Sequence, residues 1–216
     1  MTKRSYTIAA IPADGIGIEV IDATIEVLEA LQQRFPDVSY SVEKFDWGSD
    51  YYKKHGRMMP ADGLDTLKRF DAILFGAVGA PDVPDHITLW GLRLEICQGF
   101  DQYANVRPSR VLPGISSPLK NCKPGDLDWV IVRENTEGEY SGHGGRAHKG
   151  HPEEVGTEVS IFTRAGVTRI MRYAFELARS RPRKLLTVVT KSNAQRHGMV
   201  MWDEIAAEVA KDYPDV

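Results

Sequence analysis

Three short apolar runs set the strongest limit on the fold, because the segments between them carry a different period. "YTIAAI" (residues 6–11) reads as a buried strand ended by Pro12. After the turn "ADGIG", the apolar positions Ile18, Ile21, Ile25, Leu28, Leu31 and Phe35 recur every three or four residues, which predicts one face of a helix. "YSVEKF" predicts a second strand, and "DAILFGAVGAP" a third that runs into a glycine-rich loop. Strand, helix and strand in alternation predict an α/β fold with a largely parallel sheet.

The rest of the chain keeps this alternation less regularly. "DQYANVRP" predicts a short extended run ending at Arg107-Pro108, and "LDWVIVREN" a buried strand with charge at its end. The glycine- and histidine-rich residues 141–156 predict a loop or hairpin, with "TEVSIF" as its return strand. A helix is expected over residues 164–179 with Val167, Ile170, Met171, Ala174 and Leu177 inward. "KLLTVVT" then predicts a strand, and residues 199–213 an amphipathic helix.

With 216 residues there is room for a substantial core in one large domain or two small ones. A net charge of −3 gives no reason to expect nucleic acid as a partner, and the basic run "RSRPRK" reads as the solvated end of a helix. Two cysteines, Cys97 and Cys122, make neither a disulfide framework nor a CxxC metal site, so a reducing compartment fits. No stretch approaches the ~20 apolar residues of a membrane span. A cytoplasmic protein is expected.

Ligands of open α/β sheets sit beyond the carboxyl ends of the strands. The polar residues that follow strands here are Asp14, Arg107, Arg133 with Glu134, Tyr140, and Lys191 with Asn193. Two arginines, a tyrosine and a lysine suit a small acidic substrate. Guanidinium forks hold carboxylates with paired hydrogen bonds. A lysine near other cations, or partly desolvated, can act as a base, and a tyrosine can donate a proton to an enol. His143, His148 and His151 lie in the glycine-rich loop without a cysteine partner and read as surface residues rather than a zinc site. Asp126, Asp128, Glu134, Glu137 and Glu139 read as solvated carboxylates.

The stretches "IPADGIGIEV", "DQYANVRP", "VIVRENTEGEYSG", "EVSIFTRAGVTRIMRYAFELA" and "TVVTKSNAQRHGMVMW" resemble the isocitrate/isopropylmalate dehydrogenase family, most closely its tartrate and D-malate branch. The resemblance implies an isopropylmalate dehydrogenase-like two-domain α/β fold. Residues 1–102 would belong to the first domain and 103–216 to the second, with a protruding arm at about 141–162. It also implies NAD-linked oxidation of a 2-hydroxy diacid with loss of carbon dioxide, assisted by Mg2+ or Mn2+, in a homodimer whose site lies in an interdomain cleft. Lys191 would remove the hydroxyl proton and Tyr140 would protonate the enol. Arg107 and Arg133 would hold carboxylates, and Asn193 would lie near both substrate and nicotinamide. Asp14 and Thr88 fall to the cofactor side, Asp14 mainly by shaping a tight turn.

Three departures qualify that reading. Ala13 stands where the family usually has glycine. Cys97 stands where a further substrate arginine is usual; Arg93, one helical turn earlier, either reaches the same space as a substrate contact or sits on the surface. The family's metal-binding aspartates match nothing before residue 216, so no metal ligand is assigned and the chain reads as the N-terminal portion of the fold. An isopropylmalate-type substrate, with Ile87, Leu89 and Trp90 as an apolar wall, is one alternative. An incomplete product that binds a carboxylate without turnover is the other.

Overall fold

The computed structural model describes residues 4–216. The chain divides into two compact units, Met1–Phe100 and Asp101–Val216.

In the first unit, β1 (Arg4–Ala13) is the middle strand of a parallel sheet. It is flanked by β2 (Val38–Lys44) and β3 (Ala72–Ala77), in the order β2-β1-β3. The crossover from β1 to β2 is α1 (Ile16–Arg34). Ile8, Ala9, Ala10 and Ile11 are all buried, as expected of a central strand covered on both faces. Ala9 and Ile11 join Trp47, Met58, Met59, Leu67, Leu92 and Ile96 in one core. This core is closed by the short helices α2 (Ser49–His55), α3 (Gly63–Leu67) and α5 (Glu95–Gly99), with the short α4 (Asp85–Thr88) preceding α5 in the chain. A π-helical turn, Leu89–Leu94, joins α4 to α5.

Proline is tolerated in this central strand because pairing with β2 ends at Ala10 and Lys44, two residues before Pro12. β1 therefore continues past Pro12 to Ala13, which pairs with Ala77. Of the apolar face expected on α1, only Ile21 is fully buried, while Ile25 and Leu28 are half-buried. Ile18, Leu31 and Phe35 are exposed, as are Ile16, Val20 and Val27. The helix therefore carries more apolar surface than three strands cover.

The turn from β1 into α1 is held by close backbone approach and one carboxylate. A Cβ on Gly17 would lie 2.1 Å from the Pro12 carbonyl oxygen and 2.4 Å from the Ala77 nitrogen. Only glycine lets the helix start this near both strands. Asp14 is buried, and its oxygens accept hydrogen bonds from the Ser49 N–H (2.7 Å), the Ser49 hydroxyl (2.7 Å) and the Gly79 N–H (2.8 Å). Ala13 has a φ of 57°, a left-handed conformation that costs a non-glycine residue roughly 1–2 kcal/mol.

In the second unit, β4 (Ala104–Arg110) and β5 (Asp128–Glu134) form an antiparallel pair. β6 (Gly138–Ala147) and β7 (Val155–Ile161) form a hairpin where a loop or hairpin was expected. Helices α6 (Arg164–Ser180) and α7 (Gly198–Ala210) pack together through Val167, Met171, Phe175, Ile205 and Val209. Phe175 is buried in that contact, whereas Leu177, expected inward, is only half-buried.

Four further expectations are corrected here. β4 runs three residues past Arg107, since Pro108 sits on a strand paired on one side only. β5 is a strand but not a buried one: Trp129 and Ile131 are 57% and 51% exposed. "KLLTVVT" forms no sheet ladder. Leu186 and Val188 pack on the helix core, whereas Leu185 and Val189 point out. The segment therefore has a strand's alternation without a strand's partner. The basic run after α6 is not merely solvated: Arg179 and Lys184 pair with Asp215, and Arg181 with Asp128. Among the described residues, no helix is long and apolar enough to cross a membrane.

Two predictions test this frame. Gly17→Ala should destabilise the protein by about 1–3 kcal/mol, read by urea denaturation, because the new methyl group meets backbone on two sides. The N–H and hydroxyl of Thr7 hold the Asp71 carboxyl below its ordinary 3.8. The folded value thus lies below the unfolded one, so this clamp's stability is fully present above pH 3.8 and lost as pH falls through the folded value. Asp71→Asn should accordingly be less stable than the parent at neutral pH, with the gap closing in strong acid.

Candidate functional site

The antiparallel register of β4 and β5 places the two substrate-arginine candidates on one face. Arg133 lies opposite Asn105, and Arg107 opposite Ile131. Residues directly opposite share a face, and so do residues two apart. Asn105, Arg107, Ile131 and Arg133 therefore line the same side, with the arginines diagonal to each other. Arg107 is exposed and Arg133 half-buried.

Tyr140, on β6, comes to the same place. The Arg133 guanidinium carbon lies 4.8 Å from the centroid of the Tyr140 ring, within cation–π range. An arginine and a tyrosine, seven residues apart in sequence, are thus in contact.

Lys191 and Asn193 are exposed on the turn ahead of α7, where the N–H groups of Ala194 and Gln195 both bond to the Lys191 carbonyl. Asp203, on α7, accepts from the Thr190 hydroxyl at 2.7 Å. The hydroxyls of Ser192 and, secondarily, Thr190 hold the Asp203 carboxyl below its ordinary range. The neighbours on either side of Lys191 are thereby drawn toward one carboxylate, which fixes the turn that carries the lysine. Asp203 was not singled out from the sequence. Nothing local marks an acidic residue on a helix as the partner of a turn thirteen residues earlier.

The first unit holds the other candidates. Asp14 has both carboxylate oxygens engaged by Ser49 and Gly79, so its structural role accounts for its side chain. Thr88 is buried, and its hydroxyl donates to the Asp85 carbonyl at 3.2 Å. Arg93 is half-buried on the π-helical turn, and Cys97 follows on α5 with a half-buried free thiol.

Glu134 and Glu137 differ from the solvated carboxylates expected. The Glu134 side chain is only 6% exposed. It accepts from the Thr136 N–H (2.9 Å), the Glu137 N–H (2.6 Å) and the Thr136 hydroxyl (2.7 Å). Glu137 accepts from the N–H and hydroxyl of Thr163, the residue that caps α6. The sequence cue was available in retrospect: "RENTEG" sets two carboxylates beside a threonine and a glycine, a composition suited to a tight turn with its own acceptors. Among the described residues, no three His, Cys, Asp or Glu side chains are grouped to hold a metal ion.

Comparison with known proteins matches this arrangement to a family. Residues 7–216 match the model described as isocitrate/isopropylmalate dehydrogenase. A protein of Agrobacterium vitis named "Probable tartrate dehydrogenase/decarboxylase TtuC'" is 82% identical over 213 residues, covering 99% of this chain and 60% of that protein. The D-malate dehydrogenase [decarboxylating] of Escherichia coli (strain K12) is 54% identical over 215 residues, covering 99% of this chain and 59% of that protein. The crystal structure of isocitrate dehydrogenase from Methylococcus capsulatus superposes with a TM-score of 0.83 at 31% identity, covering 98% of this chain and 58% of that one. The chain thus spans about 60% of the length of the curated relatives it matches. It belongs to the isocitrate/isopropylmalate dehydrogenase family.

Proposed function

We propose that this chain carries the diacid-binding and proton-transfer residues of a 2-hydroxy acid dehydrogenase that oxidatively decarboxylates tartrate or D-malate. The observation that carries the reading is the stack of Arg133 on Tyr140, with Arg107 on the same strand face. The names of the relatives support the substrate class. Family membership supports NAD as hydride acceptor and Mg2+ or Mn2+ as the cation that polarises the substrate oxygen. The described residues do not by themselves group to hold that cation, so the chemistry assigned here rests on the side chains alone.

In this reading, Arg107 and Arg133 each pair with a substrate carboxylate through the guanidinium fork, which fixes the diacid in one orientation. Lys191, exposed and free to swing on its fixed turn, takes the proton of the substrate hydroxyl as C2 is oxidised. Loss of carbon dioxide leaves an enolate, and the Tyr140 hydroxyl returns a proton to its carbon. Asn193 and Arg93 contribute further substrate contacts, with Asn193, Thr88 and the Asp14 turn on the cofactor side. A homodimer is part of the proposal. The hairpin exposes Val155 and Val159, each about half accessible, as apolar surface for a second copy to cover.

The test is NADH formation with Mn2+ and D-malate or tartrate. Lys191→Ala should lower kcat about 10²–10⁴-fold, the usual contribution of a positioned base. Arg133→Lys should raise KM about tenfold, since a point charge replaces a two-pronged fork. Asp203→Ala should lower kcat several-fold at nearly constant KM, because it loosens the turn under Lys191 without touching the arginines. Full activity in Lys191→Ala would overturn the assignment of the base. Absence of turnover with both diacids in the parent would overturn the reaction.

A further inference from the structure

Between Arg133 and Tyr140 the chain must leave one strand, turn, and bring the tyrosine ring back beneath the guanidinium. Nothing in either side chain enforces that return. The residues that do lie in the turn itself. Glu134 follows Arg133 on β5 and faces the other way, because successive strand residues alternate. Its nearly buried carboxylate gathers the N–H groups of Thr136 and Glu137 on one oxygen and the Thr136 hydroxyl on the other. The same hydroxyl accepts from Arg169 of α6 at 3.1 Å, and the Arg169 guanidinium is 4.0 Å from the Glu134 carboxylate. Arg169 is in turn fixed by Asp101 at 2.7 Å and by the Tyr103 ring, 4.5 Å from its guanidinium carbon. The far side of the turn is tied down by Glu137 on the Thr163 cap. A Cβ on Gly166 would come within 2.4 Å of that carboxylate, so the fit there is close.

We propose that Glu134, braced by Arg169 through Thr136, is a positioning residue that sets the contact between Arg133 and Tyr140 and hence the protein's affinity for its diacid. The inference rests on the function proposed above for those two residues. The hydroxyl of Thr136 is a directional link: it accepts from Arg169 and donates to Glu134. Glutamine at 134 keeps an oxygen for the two N–H groups. Its amide, however, would donate to a hydroxyl already receiving a hydrogen bond from Arg169, which leaves the hydroxyl proton without its acceptor. Alanine leaves two turn N–H groups and one hydroxyl without that acceptor. The defects should therefore be graded, alanine above glutamine.

The experiment places 3-fluorotyrosine at position 140 and follows its 19F resonance, alongside KM and kcat for D-malate and tartrate. Arg133→Ala calibrates the resonance for loss of the cation from the ring. Glu134→Ala should move the resonance in the same direction and raise KM about tenfold, the scale of one charge-assisted contact set. Glu134→Gln and Arg169→Lys should fall between it and the parent, and Glu26→Gln, exposed on α1, should match the parent. If Glu134→Ala does not fold, the graded pair decides the question. A parent-like resonance and KM in folded Glu134 and Arg169 variants would overturn the proposal. The resonance needs no turnover. A parent without dehydrogenase activity whose Tyr140 signal still follows Glu134 would defeat the proposed reaction and leave the positioning role standing.

Discussion

A backbone N–H at a turn has no ladder partner. If water cannot reach it, some other acceptor must, because an unmet buried donor costs about 1–3 kcal/mol. This protein meets that need repeatedly with carboxylates. Asp14 takes the N–H groups of Ser49 and Gly79, and Glu134 those of Thr136 and Glu137; at exposed positions Asp71 takes that of the strand residue Thr7 and Glu137 that of Thr163. Charge-assisted bonds of this kind are stronger than amide–amide bonds, and those of Asp14 and Glu137 join stretches far apart in the chain. The strands supply flat platforms, and the carboxylates fix where the chain goes after leaving them.

The same logic separates the proposed ligand-facing residues from residues that hold them in place. On β5, Arg133 faces the open side while Val130, Val132 and Glu134 face the side nearer the helices. On the turn before α7, Thr190 and Ser192 are drawn to Asp203 while Lys191 is left exposed. In both places a candidate site residue is flanked by residues committed to structure. In the first unit the roles merge: Asp14 shapes the strand-to-helix turn so fully that little of its carboxylate remains for anything else.

Much of this was legible from periodicity. The strands β1 and β3 and both long helices of the second unit follow from apolar spacing, because those elements bury a face against the chain's own core. The reading failed where burial depends on distant partners. "LDWVIVREN" and "KLLTVVT" have the composition of buried strands, yet Trp129, Ile131, Leu185 and Val189 are exposed. The α1 face was drawn too wide for the same reason: a helical stripe says which residues are apolar, not how many strands lie beneath them. The candidate site was partly legible. Arg107, Arg133 and Tyr140 could be selected as strand-end polar residues, and the structure brings Arg133 and Tyr140 into contact. Glu134 stood out only as the companion of Arg133, the turn cue in "RENTEG" is visible only in retrospect, and Asp203 carries no cue, since a carboxylate reads the same in sequence whether its partner is water, a backbone amide or a hydroxyl.

The alternation along β5 also means that parity matters as much as residue type. Arg133 and Glu134 are adjacent, both charged, and assigned to opposite sides of one strand. Removing a single residue upstream within that strand would preserve every motif letter of "RENTEGEY" while shifting its pairing with β4 by one place. The arginine would then face the helices and the glutamate the open side. Insertions and deletions here should therefore be tolerated only in pairs, a constraint on how the segment can change length that no single substitution would reveal.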